Sequence, residues 1–174
     1  QFASAESAQP FKTEKDYTNF LKRMDKYAVW IDSAMVYMKK GIKQGAVLPK
    51  ALTIKMIPQF AEMPTPKIED NLFYSAIKLM PNTFYEAVKK DLTAKYTATI
   101  KDKLIPQYKK MTDFLKNEYL PASRTTSGIG SLTFGKELYA AYAKAYTTTE
   151  MTPEEIHELG LKEVARLNAE MEKV

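Results

Sequence analysis

The chain has 174 residues, 45% apolar and 27% charged, long enough to bury about two thirds of the surface its unfolded form exposes and too apolar for a disordered or collagen-like polypeptide. It has no cysteine and a single histidine, His157, which excludes disulfides, thiolate metal sites, cysteine nucleophiles and a two-histidine zinc site built from this chain alone. Its net charge of +5 is uneven: residues 150–174 hold seven acids and three bases, net −4, which leaves +9 on residues 1–149.

Only three of the 26 bases are arginine, Arg23, Arg124 and Arg166, whereas readers of nucleic acid lean on the arginine fork for phosphates and guanines. Nucleic acid is therefore not an expected partner. The longest run without a charged residue is 125–135, which is 11 residues rich in Ser, Thr and Gly, so no transmembrane segment is expected.

Residues 1–12 are small and polar at first, with neither the basic start nor the apolar run of a signal peptide. They are expected to be a disordered or processed end, followed by one helical domain over 13–174. Thr13 with Asp16 forms a capping pattern, and Tyr17, Leu21, Met24, Ala28, Ile31, Met35, Met38 and Ile42 then recur in steps of four and three. That heptad period belongs to a helix lying along another at a shallow angle. The first helix is expected over about 14–44, stopped by Gly41 and Gly45.

Pro49 suits the first turn of a second helix through Phe60, with Pro58 expected to fray or end it. Pro64, Pro66 and Pro81 surround the cluster Leu72, Phe73, Tyr74, Ile77, Leu79 and Met80, which reads as a packed irregular connection holding at most a short helix. Asn82 is the expected cap of a second long helix, about 83–119, whose apolar residues from Phe84 to Tyr119 are spaced mostly by four. A step of four drifts by about 40° per turn, so this helix should be contacted from several sides or be kinked. Pro106 removes an amide donor and crowds the carbonyl of Asp102, which places the bend between them. The lysines interleaved with acids along this helix read as a solvated face.

Pro121 is the expected end, followed by a glycine-containing loop over 123–134 and a shorter helix over 136–146. Thr152-Pro-Glu-Glu155 then combines an N-cap, proline at the first helical position and glutamate at the third, opening a helix from about 153 with Ile156, Leu159, Val164, Leu167, Met171 and Val174 on its apolar stripe. The stripe runs to the last residue, so the natural polypeptide is expected to continue.

His157-Glu158 is not half of a His-Glu-x-x-His zinc motif, because Leu161 stands where the second histidine belongs. Tyr139, Tyr142 and Tyr146 share a helix face and read either as a row of phenols along a groove or, in preference, as core boundary. Arg124 has a fork suited to a carboxylate, internal or a substrate terminus, with an internal partner preferred. Thr147, Thr148 and Thr149 are explained by capping alone. Gly128-Ile-Gly130 lacks the strand and the Gly-Lys-Ser/Thr ending of a phosphate loop.

The stretch Glu118-Tyr-Leu-Pro-Ala-Ser-Arg124, then Leu132-Thr-Phe-Gly135, Tyr139, Thr147-Thr148, and Thr152-Pro-Glu-Glu-Ile-His-Glu-Leu-Gly-Leu-Lys-Glu-Val-Ala-Arg166 with Glu170-Met171, resembles the bacterial domain of unknown function 885 family. Gly41-Ile-Lys-Gln-Gly45 and Leu48-Pro49 resemble its N-terminal helix turn. The pattern departs at Thr133, where the family has proline, and at Leu138-Tyr139, where it has a tyrosine pair. The resemblance implies a mostly helical protein of several hundred residues, often exported, periplasmic or lipid-anchored, related to zinc metallopeptidases of the thermolysin-like clan. Its zinc motif would lie downstream of this chain.

The expected fold is thus all-α, an elongated bundle with two long helices. The expected role is the N-terminal part of a metallopeptidase-like protein, one side of a substrate cleft. Catalytic and metal residues would be absent here, zinc would be held in the full-length protein, and Arg124, Tyr139, Thr147, Thr148 and His157 would line the cleft. The expected partners are the remainder of its own polypeptide and a peptide substrate. Two rival readings are a non-enzymatic module that takes a partner helix or peptide in the seam of the first long helix, and a basic surface for anionic lipid or nucleic acid.

Overall fold

The computed structural model describes residues 9–173, so residues 1–8 of the expected disordered or processed end, and Val174 of the last stripe, lie outside the described residues. Gln9 and Lys12 are tied to α1 (Glu14–Gln44) by bonds to Asp16 of 3.2 and 3.1 Å. No strand occurs among the described residues; a single isolated bridge pairs Pro49 with Arg124. The fold is all-α, as the periodicity predicts, and the chain divides into two compact units after Thr125.

In the first unit, α1 opens on the predicted box: the Thr13 hydroxyl accepts from the Asp16 amide while the Asp16 carboxylate accepts from the Thr13 amide. It ends on Gly45 at φ 70°, a left-handed turn that glycine enters without steric cost. Gly41 is needed for a second reason. A Cβ there would lie 2.8 Å from the Ala46 carbonyl oxygen.

The second long element is one continuous rod of five pieces: α4 (Glu86–Thr99), a π turn (Ile100–Leu104), α5 (Ile105–Phe114), a second π turn (Leu115–Tyr119) and α6 (Leu120–Ala122). It starts later than predicted, because Tyr85 and not Asn82 occupies the N-cap, and Pro121 falls inside its last turn. Where the sequence predicts a bend, between Asp102 and Pro106, the structure has a π turn over Ile100–Leu104. In an α-helix Pro106 would press on the Asp102 carbonyl; here the last amide before it, that of Ile105, reaches five residues back to Ile100. The second π turn repeats the arrangement, with the Leu120 amide on the Leu115 carbonyl ahead of Pro121. Ile100-Lys-Asp-Lys-Leu-Ile-Pro106 and Leu115-Lys-Asn-Glu-Tyr-Leu-Pro121 are the same heptapeptide pattern, a repeat that apolar spacing alone does not mark.

α1 and the rod run parallel. The Tyr96 hydroxyl donates to the Tyr17 carbonyl at 3.0 Å, and Lys103 meets Asp25 at 2.7 Å, Lys110 meets Asp32, and Lys39 meets Glu118 at 2.9 Å. From the second ion pair to the third, α1 advances seven residues and the rod eight. The extra residue falls where the second π turn widens the helix. The second π turn thus holds in register a stripe that steps of four would otherwise wind away from α1.

The heptad stripe of α1 lies inside this contact. Tyr17, Met24 and Ile31 are fully buried, with Phe20, Ala28 and Met35 nearly so, against Leu92, Tyr96, Ile100, Leu104 and Tyr108 at one end and Met111, Phe114, Leu115 and Tyr119 at the other. Each such aliphatic side chain contributes about 1.5–3 kcal/mol on burial. The seam is filled by the chain itself, which removes the place where the rival reading put a partner helix.

α2 (Lys50–Ala61) packs on α5 and runs three residues past Pro58 instead of ending there. The carbonyl that loses its donor is that of Ile54, a residue on the exposed side. The proline-rich connection holds two 3-10 turns, Ile68–Asp70 and Leu72–Tyr74, and the four-residue α3 (Ser75–Lys78). Phe73 and Ala76 are buried there, whereas Leu72 and Leu79 are exposed. Asn71 secures the connection, donating to the Met63 carbonyl at 2.8 Å and accepting from the Phe73 amide.

The second unit contains a 3-10 turn (Ile129–Ser131), α7 (Gly135–Thr147) and α8 (Pro153–Met171). Gly135 is the one position there where a side chain is sterically forbidden: a Cβ would fall 1.9 Å from the Ile129 carbonyl oxygen.

Within the aromatic cluster of the first unit, the Tyr17 hydroxyl is buried without a hydrogen-bond partner, while Tyr96 spends its proton on a backbone carbonyl. An unsatisfied buried hydroxyl costs about 1 kcal/mol or more. Tyr17→Phe should therefore raise the unfolding midpoint in urea, by about 1 kcal/mol of stability, and Tyr96→Phe should lower it by a similar amount. Equal destabilisation by both substitutions would contradict this assignment.

Candidate functional site

The two stretches that carry the resemblance upstream meet in space. The segment after α1 lies beside the end of the rod: the Arg124 amide donates to the Leu48 carbonyl at 3.2 Å, the Lys50 amide to the Arg124 carbonyl at 2.8 Å, and the Leu48 amide to the Tyr119 hydroxyl at 3.1 Å. The Thr53 and Ser123 hydroxyls share a proton at 2.8 Å, and Ser123 also bonds the Tyr119 carbonyl. Arg124 is half-buried in this clasp, and its Nε donates to the Val47 carbonyl at 3.1 Å. A backbone carbonyl, not a carboxylate, accepts that Nε–H. The motif residues Leu48, Pro49, Tyr119, Ser123 and Arg124 thus have a structural task, to fasten the start of α2 to the end of the rod.

The other four candidates belong to the second unit. Thr147 and Thr148 form the end of α7. The Thr147 hydroxyl donates to the Ala143 carbonyl at 2.8 Å and lies 3.0 Å from the Thr149 hydroxyl, and the Thr148 amide donates to the Lys144 carbonyl. Thr148 is the only non-glycine residue with positive φ among the described residues, at 58°. A β-branched residue in this region is strained. Tyr139 stands on α7, two turns before that end, and His157 near the start of α8, both exposed. Sequence separation along α7 keeps Tyr139 apart from Thr147 and Thr148, which are neighbours at the end of that helix.

The preference for core over most of the tyrosines fits Tyr17, Tyr96, Tyr108 and Tyr119, which are buried, but not Tyr139, Tyr142 and Tyr146, which are 53%, 49% and 87% exposed. Their shared face is real, with the Tyr142 and Tyr146 rings 6.5 Å apart and edge to face, but no core in this chain covers it. α8 is in the same state. Its predicted box is present, Thr152 and Glu155 bonding each other reciprocally, yet no residue of α8 is buried, and Leu159, Val164, Leu167 and Met171 are all about half exposed or more. A helical stripe that meets nothing cannot supply the packing on which helix stability in proteins mostly rests.

In the first unit a groove of about 870 Å³ follows the α1–α5 seam, floored by Met35 and Phe114 and edged by Asp32, Lys39, Lys110 and Glu118. The edging charges pair with one another, and Lys39 lies over the Phe114 ring. Asp32 is held below the usual carboxylate range chiefly by its bond to Lys110. The groove is lined by no serine, threonine, cysteine or histidine. Among the described residues no group of three His, Cys, Asp or Glu side chains is placed to hold a metal ion, so the residues present do not fit a zinc site. No helix among them is long and apolar enough to cross a membrane.

Two outcomes test the local account of the second unit. Replacing Thr148 by glycine relieves the left-handed strain and should stabilise α7 by about 0.5–1 kcal/mol, read as slower amide exchange in its last turn. The bonds from the Thr152 amide and hydroxyl hold the Glu155 carboxyl below its ordinary value of 4.5. A depressed carboxyl stabilises the folded form above its unfolded pKa and loses that contribution as pH falls through the folded value. The start of α8 should therefore fray only below about pH 4.5, followed by the chemical shifts of Thr152 and Glu155, and Glu155→Gln should abolish that transition.

No curated protein sequence matches the chain. Among solved structures it is similar to a crystal structure described as that of "the putative lipoprotein from Colwellia psychrerythraea", with a TM-score of 0.83 and 21% identity over 94% of this chain. That likeness is one of fold, and the chain spans 28% of the length of the Colwellia protein. Across residues 1–174 the sequence matches the family described as "Bacterial protein of unknown function (DUF885)", and the chain belongs to that family.

Proposed function

We propose that this chain is the N-terminal helical part of a zinc metallopeptidase-like protein, forming one side of a substrate cleft and contributing no zinc ligand. The observation that carries the reading is the state of α7 and α8, whose aromatic and aliphatic faces are uncovered. Such faces need a partner to contribute to stability, and the 28% span of the Colwellia chain makes the remainder of the same polypeptide the natural one. Tyr139, Thr147, Thr148 and His157 are among the exposed polar groups of that unit, and they would face peptide once the unit is docked. Arg124 acts as a positioning residue through its clasp.

Zinc, if the full-length protein carries it, is held by residues outside this chain. There it would supply a polarised water for peptide hydrolysis. The Colwellia protein is described as a lipoprotein, which favours an exported, periplasmic or lipid-anchored location for this one as well.

The test compares the 174-residue chain with the longest polypeptide its gene encodes. The short chain should bind no stoichiometric zinc and hydrolyse no peptide, while the long one does both and loses activity to a chelator. In the long form Tyr139→Phe and His157→Gln should lower kcat/KM about tenfold, the loss of one hydrogen bond each, with zinc content unchanged. Hydrolysis by the short chain that survives chelation would sink the proposal, as would a long form without metal.

A further inference from the structure

The side of α1 turned away from the seam has a composition of its own. At 100° per residue, Val29, Ser33, Val36 and Tyr37 fall within about 50° of the line opposite Met24 and Ile31, and Trp30 falls about 70° from it; Val36 also lines the groove along the α1–α5 seam. All five are exposed, Trp30 at 58% and Tyr37 at 70%. Lys22 and Lys26 precede this patch on the same line and Lys40 follows it, all exposed. The one acid within the same span is Asp25, about 70° from that line on the side away from Trp30. Asp25 and Asp32 lie at its edge, on the groove side, and are engaged by Lys103 and Lys110.

We propose that this face of α1 docks on an anionic lipid surface. The geometry is that of an interfacial helix held at its back by the rod: Val29 and Val36 reach the acyl boundary, Trp30 and Tyr37 sit at headgroup depth where amphipathic rings are favoured, and the lysines meet phosphates. Contact is shallow, because the opposite side of α1 is committed to the seam. Charge also argues against a second copy of the chain. An antiparallel pairing centred on Ser33 would set Lys26 against Lys40 of the other copy, and a parallel pairing would set each lysine near its own counterpart, both repulsive. The first unit as a whole is basic, with 21 bases and 13 acids over residues 1–125, and a lysine near an anionic bilayer contributes about 1 kcal/mol.

Trp30 is the only tryptophan in the chain, so its fluorescence reports on the centre of the patch without a label. The 174-residue chain is mixed with vesicles of phosphatidylcholine alone or with added phosphatidylglycerol. The expected result is sedimentation with the anionic vesicles only, a blue shift of Trp30, quenching by brominated acyl chains, and release by salt. Replacing Lys22, Lys26 and Lys40 together by glutamine should weaken partitioning roughly 100-fold. Val29→Ser with Val36→Ser should weaken it while leaving the far-ultraviolet circular dichroism unchanged, since both positions are exposed. An unshifted Trp30 with anionic vesicles overturns the proposal. Equal binding to neutral vesicles does too, as does loss of binding in the longest polypeptide of the gene, which would mean that protein and not lipid covers this face.

Discussion

Everything in the first unit depends on one parallel contact, that between α1 and the rod of α4, α5 and α6. Two parallel helices that stay together over four turns must keep their buried residues facing each other. A heptad stripe on α1 can do this, but a stripe with steps of four on the partner drifts. The π turns at Ile100–Leu104 and Leu115–Tyr119 each widen the rod, and across the second the rod gains the residue that keeps its stripe on α1. The prolines at 106 and 121 explain why the widening occurs there, since each forbids the α-helical arrangement just before it. What reads in one dimension as a helix breaker serves in three dimensions as a register device.

The parallel arrangement also explains the long connection. Residues 45–85 must carry the chain back to the level where α1 began, and they do so with α2 and a set of short turns that cover the side of the seam. The clasp between Leu48, Tyr119, Ser123 and Arg124 pins the start of that return to the end of the rod. This gives the motif residues around 41–49 and 118–124 one shared explanation. Ion pairs along the seam, all partly exposed, add little stability; their value is in fixing register.

The second unit has the opposite character. Its backbone is well specified, by the Thr152 box, by Pro153 at the first position, and by the contact that admits only glycine at 135. Its side chains are not satisfied in the same way. Aromatic and aliphatic stripes on α7 and α8 stand exposed, and the candidate polar residues stand with them. A site can be read from such a unit only as one wall, because the groups that would oppose Tyr139, Thr147, Thr148 and His157 are not supplied by these two helices.

Helix type, number and most boundaries were legible in the sequence, because capping boxes, glycine stops and apolar spacing act within a few residues. The Thr13 and Thr152 boxes, Gly45 and the α1 heptads needed no tertiary information. The sequence reading went astray where a local rule met a distant partner. Pro58 and Pro121 did not stop their helices, since an exposed carbonyl and a π turn absorbed the lost donor. Tyr139, Tyr142 and Tyr146 resembled core boundary because spacing records which face a residue shares and not what that face meets. Composition alone decided that a two-histidine or thiolate zinc site cannot be assembled from this chain, which has one histidine and no cysteine. Only the tertiary structure decided that Arg124 fastens backbone, that the α1 seam is internal, and that the opposite side of α1 is left as a lysine-framed apolar face. Those outcomes turn on which surfaces touch, and contact between residues some 80 positions apart leaves no signature in local spacing.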